Sequence, residues 1–136
     1  MNGCLLDTNV LSEILKKRPE PKVLEKLRSV PARAIATSAV CVTELRYGTA
    51  RYPARAGLWE RISREVLARV RIIPFGEAEA VRAGDLLALL ESKGVRIGTE
   101  DVLIGATALE AGLSVVTRNV RHFDRIPGLI VESWWP

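Results

Sequence analysis

Histidine, methionine, cysteine and aromatic side chains are all scarce in this chain. Its 136 residues include one histidine, one methionine and two cysteines, and aromatics make up 5%. A single histidine, His122, cannot build an imidazole cluster for zinc, and it forms no convincing triad with a serine or cysteine. It is expected as an inert surface residue in a loop beside Phe123. Cys4 and Cys41 lie in apolar stretches without zinc-like spacing and are expected as reduced, buried core thiols. No apolar run approaches the ~18 residues of a membrane span, and no signal-peptide pattern precedes the first strand. A cytoplasmic protein is the expectation.

What the chain does have is aliphatic bulk and arginine. Hydrophobic residues reach 48%, and 136 residues suit one domain, 1–136, with a real core. The net charge is +4, and arginine clearly outnumbers lysine. Guanidinium groups bind phosphates in bidentate fashion, so an anionic partner such as nucleic acid fits this balance. Arg46, Arg51, Arg55, Arg61, Arg64 and Arg69 cluster in the middle third. They read either as a solvated helical surface or as a contact band for RNA or a protein partner.

Short apolar runs alternate with helical patterns along the chain. Cys4-Leu5-Leu6, Ala34–Thr37, Arg71–Phe75, Ser114–Thr117 and Leu129–Val131 read as strands. Helices are expected after the first strand to about Lys17, from Val23 to Val30, and from Ser38 to about Ala50. Three more follow over 58–69, over 77–93, and from a Thr99 cap to just before Gly112. Pro21 suits a first helical turn, and Ser38 suits a cap. Strands alternating with helices predict a three-layer α/β/α sandwich around a parallel sheet of four to five strands.

Against that frame three acids stand out. Asp7 ends the first apolar strand, where open α/β sheets bind ligands, although a carboxylate there also caps the following helix. Glu44 shares a helical stripe with Val40, Cys41, Leu45 and Gly48, the stripe expected to face the sheet. An unpaired carboxylate there needs a cation, strong hydrogen bonds or a proton, and Arg46 points elsewhere. Asp101 lies in a first helical turn with Ile104, Gly105 and Ala108 on its face, small residues that permit close approach to the sheet. Glu100 lies about 100° further round, so periodicity leans toward Asp101. Asn119, just past the fourth strand, reads as a neutral oxygen ligand or as a turn residue. Glu13 and Lys17 are spaced for an i,i+4 pair.

Like charges this close raise one another's pKa unless a cation intervenes. Oxygen ligands without histidines point to Mg2+ or Mn2+, ions that polarise phosphoryl oxygens and lower the pKa of bound water. Phosphodiester hydrolysis is the natural chemistry of such a pocket.

Asp7-Thr8-Asn9 with Leu11-Ser12, Thr43–Gly48, Ile97-Gly98 through Asp101 to Ile104, and Thr117-Arg118-Asn119 with Phe123 together resemble the PIN-domain proteins. The final Gly128-Leu129 and Trp134 continue the pattern, which spans essentially the whole chain. Within that superfamily the chain is similar to VapC-type toxins, the ribonuclease half of a type II toxin–antitoxin pair. The resemblance implies a metal-dependent endoribonuclease. It carries Asp7, Glu44 and Asp101 onto the three core acids that bind Mg2+ or Mn2+, with Asn119 where many relatives have a fourth aspartate. Thr8, Asn9 and Thr117 correspond to polar positions near the metal that hold waters or the scissile phosphate. It further implies a homodimer, an RNA substrate and a VapB-type antitoxin over the groove.

Two rivals differ in the residues they require. A Mg2+-dependent phosphatase needs an acid two positions after its nucleophile, where this chain has Asn9, and a later lysine, whereas Lys93 is the only one beyond Lys26. A non-catalytic RNA-binding module would have no need of all three acids.

Overall fold

The computed structural model describes residues 3–55 and 57–136. These build a five-stranded, all-parallel sheet in the order β3-β2-β1-β4-β5. The strands are β1 (Cys4–Leu6), β2 (Ile35–Ser38), β3 (Arg71–Ile73), β4 (Ser114–Val116) and β5 (Val131–Glu132). The helices are α1 (Thr8–Ile14), α2 (Pro21–Ser29), α3 (Ala39–Ala50), α4 (Leu58–Glu65), α5 (Glu77–Ser92), α6 (Thr99–Ala111) and α7 (Val120–Phe123).

The topology follows from crossover handedness. The chain steps outward one way through β1, β2 and β3, then returns across β1 to β4 and steps the other way to β5. Right-handed crossovers therefore send α1–α4 and α5–α7 to opposite faces of the sheet. The packing agrees: α1 meets α2 and α3, α3 meets α4, α5 lies along α6, and α6 touches α7. Leu5, Leu6, Ala36, Val115 and Val116 are sealed between the layers. The reversal of strand order puts a crevice at the carboxyl ends of β1 and β4, which pair in register as Leu6 with Val116. The candidate site sits in that crevice.

Most expected elements appear within a few residues of their predicted bounds, and the differences have local causes. Pro21 opens α2, and Ser38 caps α3 through the amide of Cys41. The cap of α6 is Gly98 rather than Thr99, which is itself the first helical residue. The helix expected over 58–69 breaks at Val66 into a short 3-10 turn, Leu67–Arg69. The segment after β4, read as loop, contains the one-turn α7. At the sheet edge β3 is not buried as expected, and Ile72 stands 42% exposed. Because α1 ends at Ile14, Lys17 falls beyond the helix; Glu13 pairs with Lys16 at 2.8 Å and also accepts the Glu20 amide at 3.0 Å.

Two glycines mark close approaches. A Cβ on Gly3 would lie 2.3 Å from the carbonyl oxygen of Ala34, a backbone atom that cannot swing aside. A Cβ on Gly105 would meet the Ile126 side-chain tip at 2.5 Å, so this small residue admits the segment leading to β5. Gly3→Ala should therefore cost about 1–3 kcal/mol in urea unfolding. Gly105→Ala should cost less, because the Ile126 tip can move and alanine favours helix by about 1 kcal/mol. Equal losses at the two positions would contradict this reading.

Candidate metal centre

Asp7 follows β1 directly and is only 5% exposed. Its amide donates to the Val116 carbonyl at 2.9 Å, pinning it between the two central strands. One carboxylate oxygen accepts from the Thr8 amide and the other from the Thr117 hydroxyl, both at 2.7 Å. Capping of α1 and a place in the site are thus compatible roles for this residue. Burial pushes its carboxyl above the ordinary range, against the pull of those two hydrogen bonds, and the charge of Asp101 adds to the rise.

Glu44 approaches from α3. It is half-buried rather than under the helix, at the edge of a stripe whose Cys41 and Leu45 are fully covered. The Thr8 hydroxyl donates to its Oε1 at 2.7 Å. Burial raises its carboxyl too, and the charges of Asp7, Asp101 and Glu100 push the same way. Oxygens of Asp7 and Glu44 and the sulfur of Cys41 lie within 4.8 Å of one another. Burial keeps the Cys41 thiol protonated, so the two carboxylates are the hard ligands of this group.

Asp101 faces the same cavity, about 450 Å³ in volume, from the first turn of α6. Its side chain is 18% exposed, while Glu100 points out to solvent. Asp101 stands outside the tight group because its Oδ2 is turned to His122 Nδ1 at 2.8 Å and Asn119 Nδ2 at 3.4 Å. Asn119 Nδ2 also lies 2.8 Å from His122 Nδ1. That nitrogen can either donate to the carboxylate or accept from the amide, not both. Sequence reading left His122 inert in a loop. Its link to Asp101 depends on α7, which brings position 122 within one turn of Asn119 and carries no periodic signal of its own.

The polar residues flanking the acids are tied together. Thr117 donates to Asp7 and accepts from Asn9 Nδ2 at 3.3 Å and from the Asn119 amide at 2.9 Å. The side-chain oxygen of Asn9 accepts the Arg118 amide at 3.1 Å, so this residue brackets α1 to the exit of β4. Arg118 lies over the Trp135 ring at 5.4 Å, and both line the cavity rim.

The carboxylates fit a divalent cation. Among the described residues no lysine or arginine pairs with Asp7 or Glu44; the lysine and arginine ion pairs are Lys16–Glu13, Arg61–Glu65 and Arg82–Glu110. Two desolvated acids with oxygens within 4.8 Å of each other, served only by hydroxyl and amide donors, lack the positive charge that burial calls for. A larger hollow of about 590 Å³ beside α5 has no such deficit, since its Glu77 and Asp85 are exposed to water and its Glu110 is paired with Arg82.

The pattern of the PIN domain matches residues 4–129. The chain belongs to the PIN-domain family. It is 35% identical to the VapC ribonuclease Y4jK of Sinorhizobium fredii, an alignment covering 97% of this chain and 98% of the relative. It is 32% identical to the tRNA(fMet)-specific endonuclease VapC of Salmonella typhimurium, covering 96% of each. Among solved structures it is similar to FitAcB from Neisseria gonorrhoeae, with a TM-score of 0.88, 33% identity, and 97% and 98% of the two chains covered. Nucleases of the PIN-domain family generally use divalent metal ions, and the acidic cluster can bind one.

Stability should report the buried charge directly. Folded Asp7 and Glu44 hold protons more tightly than in the unfolded chain. Their stabilising contribution is therefore complete below the unfolded values and is lost as pH rises through the raised folded ones. In chelator, the wild type should be less stable than the Asp7→Asn/Glu44→Gln variant at neutral pH. Urea titrations should show the gap closing toward about pH 4. A gap that does not change with pH would remove the buried-charge account.

Proposed function

We propose that the protein is the toxin of a toxin–antitoxin pair, a Mg2+- or Mn2+-dependent endoribonuclease whose single domain spans residues 1–136. The observation that carries this reading is the convergence of the desolvated carboxylates of Asp7 and Glu44, with oxygens within 4.8 Å of each other at the strand-order reversal and no basic partner among the described residues. Relatives named ribonuclease VapC at 32–35% identity, and structural neighbours solved as toxin–antitoxin complexes, support the activity and a VapB-type antitoxin as partner. A cytoplasmic location follows from an RNA substrate, and among the described residues no helix is long and apolar enough to cross a membrane. We extend the family's homodimer to this chain on the same basis.

In this proposal Asp7, Glu44 and Asp101 hold the cation, which when bound supplies Lewis-acid activation of the phosphodiester and of water. The chain's own residues do the positioning. Asp7 is locked by β1, β4 and Thr117, so its oxygens face the cavity with little freedom. Thr8 fixes one oxygen of Glu44, and we assign the other to orienting the attacking water. Asn119, a neutral amide beside Asp101, would contact the cation's water or the phosphate. Thr8 and Asn9 line the cavity in which the phosphate would rest, whereas Thr117, expected beside the substrate, is fully buried and acts through its hydrogen bond to Asp7. Hydrolysis would leave a 5′-phosphate and a 3′-hydroxyl. A phosphatase reading is disfavoured, because Asn9 offers no proton and both ends of its amide are occupied.

Asp101→Asn should lower RNA cleavage by about two orders of magnitude or more while leaving the unfolding transition in place. EDTA should silence the wild type, and Mg2+ or Mn2+ should restore it. Sequencing of transcript 5′ ends after brief induction checks both the activity and its target. Full cleavage by the Asp101→Asn variant, or in EDTA, would overturn the reading.

A further inference from the structure

The arginine cluster is not a diffuse solvated surface. Three of its members are stacked on aromatic rings over the C-terminal half of α3 and the turn that follows. Arg51 lies 4.7 Å from the ring centre of Tyr47 and 5.4 Å from that of Tyr52, and Arg55 lies 5.2 Å from Tyr52. Arg46 covers Trp59 at 5.3 Å. Trp59 packs against the core, but the two tyrosine rings do not: Tyr47 is 63% exposed and Tyr52 50%. None of the three arginines forms an ion pair with a carboxylate among the described residues. Glu60 is the one acid lining the hollow that Arg46 and Arg55 share.

The ladder is continuous with the acidic pocket along one helix. Tyr47 and Arg51 stand three and seven residues beyond Glu44, so they share its face of α3 and extend the stripe by about 10 Å. Stacking holds the guanidinium plane still and leaves its N–H fork free for phosphate oxygens. An exposed tyrosine ring is the size and character of a base-stacking platform.

We propose that Tyr47, Arg51, Tyr52 and Arg55 form a binding track for single-stranded RNA that leads the strand along α3 to Glu44. The inference deepens the ribonuclease reading and rests on it. The track binds by stacking and phosphate contact, so it selects unpaired segments with weak base preference.

Anisotropy of a labelled oligoadenylate of about ten nucleotides, in EDTA so that nothing is cut, tests the track separately from catalysis. Tyr47→Ala and Tyr52→Ala should each weaken binding about fivefold or more, and Tyr47→Trp should keep wild-type affinity. Arg51→Gln should flatten the dependence of log affinity on log salt by about 0.7. Circular dichroism melts should match the wild type, since the altered side chains are exposed. Unchanged affinity and salt slope would overturn the track. So would variants that lose a co-expressed protein partner while keeping RNA affinity. Cleavage by the wild type alongside unchanged binding in the variants would sink the track alone. Ladder-dependent binding without any cleavage would sink the nuclease reading and leave the track standing.

Discussion

A carboxylate held almost out of water, with no paired cation among the described residues, is the constraint that organises this molecule. Asp7 cannot move away from its position, because its amide belongs to the sheet and its carbonyl accepts from Val10 and Leu11 at the start of α1. Nor is its charge neutralised locally, since its partners are the amide of Thr8 and the hydroxyl of Thr117. Desolvation of an ion costs several kcal/mol even after relaxation, and neutral donors offset only part of that. The fold maintains this cost where strand order reverses. It is the one place where two strand ends and two helix starts can converge on a small volume.

The surrounding hydrogen bonds make sense as a way of fixing acids without quenching them. A lysine or arginine in the position of Thr117 would pair with Asp7 and end its attraction for an ion. A hydroxyl orients the carboxylate and leaves its charge intact. Thr8 does the same for Glu44, and Asn9 braces Thr117 and the Arg118 backbone. Arginine is instead displaced outward: Arg118 onto Trp135, Arg46 onto Trp59, and Arg51 onto tyrosines. The protein thus separates its charges, acids inward and guanidinium groups on the rim, an arrangement suited to an anionic chain that must approach an acidic centre.

Period and composition made the sandwich legible, since buried parallel strands read as short apolar runs between amphipathic helices. Asp7 was legible because a polar residue closing such a run is conspicuous, and Glu44 because it interrupts an otherwise apolar stripe. The exact caps were less so: Gly98 replaces Thr99 because the helix starts one residue earlier than side-chain chemistry suggests. The contact of His122 with Asp101 was out of reach, since it spans 21 residues and depends on a one-turn helix with no apolar period. The Glu13 pairing turned on where α1 stops, and a shift of three residues moved the partner from Lys17 to Lys16. Local pattern specifies elements, while contacts between their ends depend on the last turn.

Asn119 shows how finely the charge of the centre is set. Its amide stands 3.4 Å from Asp101 and beside His122, at the exit of β4. An aspartate at that point would set a further negative charge against Asp101, a repulsion of about 4 kcal/mol at 4 Å in a partly screened site. The amide avoids this and donates a hydrogen bond to the carboxylate. The same neutrality weakens any attraction for a second cation, which would depend on that side of the pocket. With asparagine here, the pocket carries one uncompensated charge fewer than an aspartate would give it.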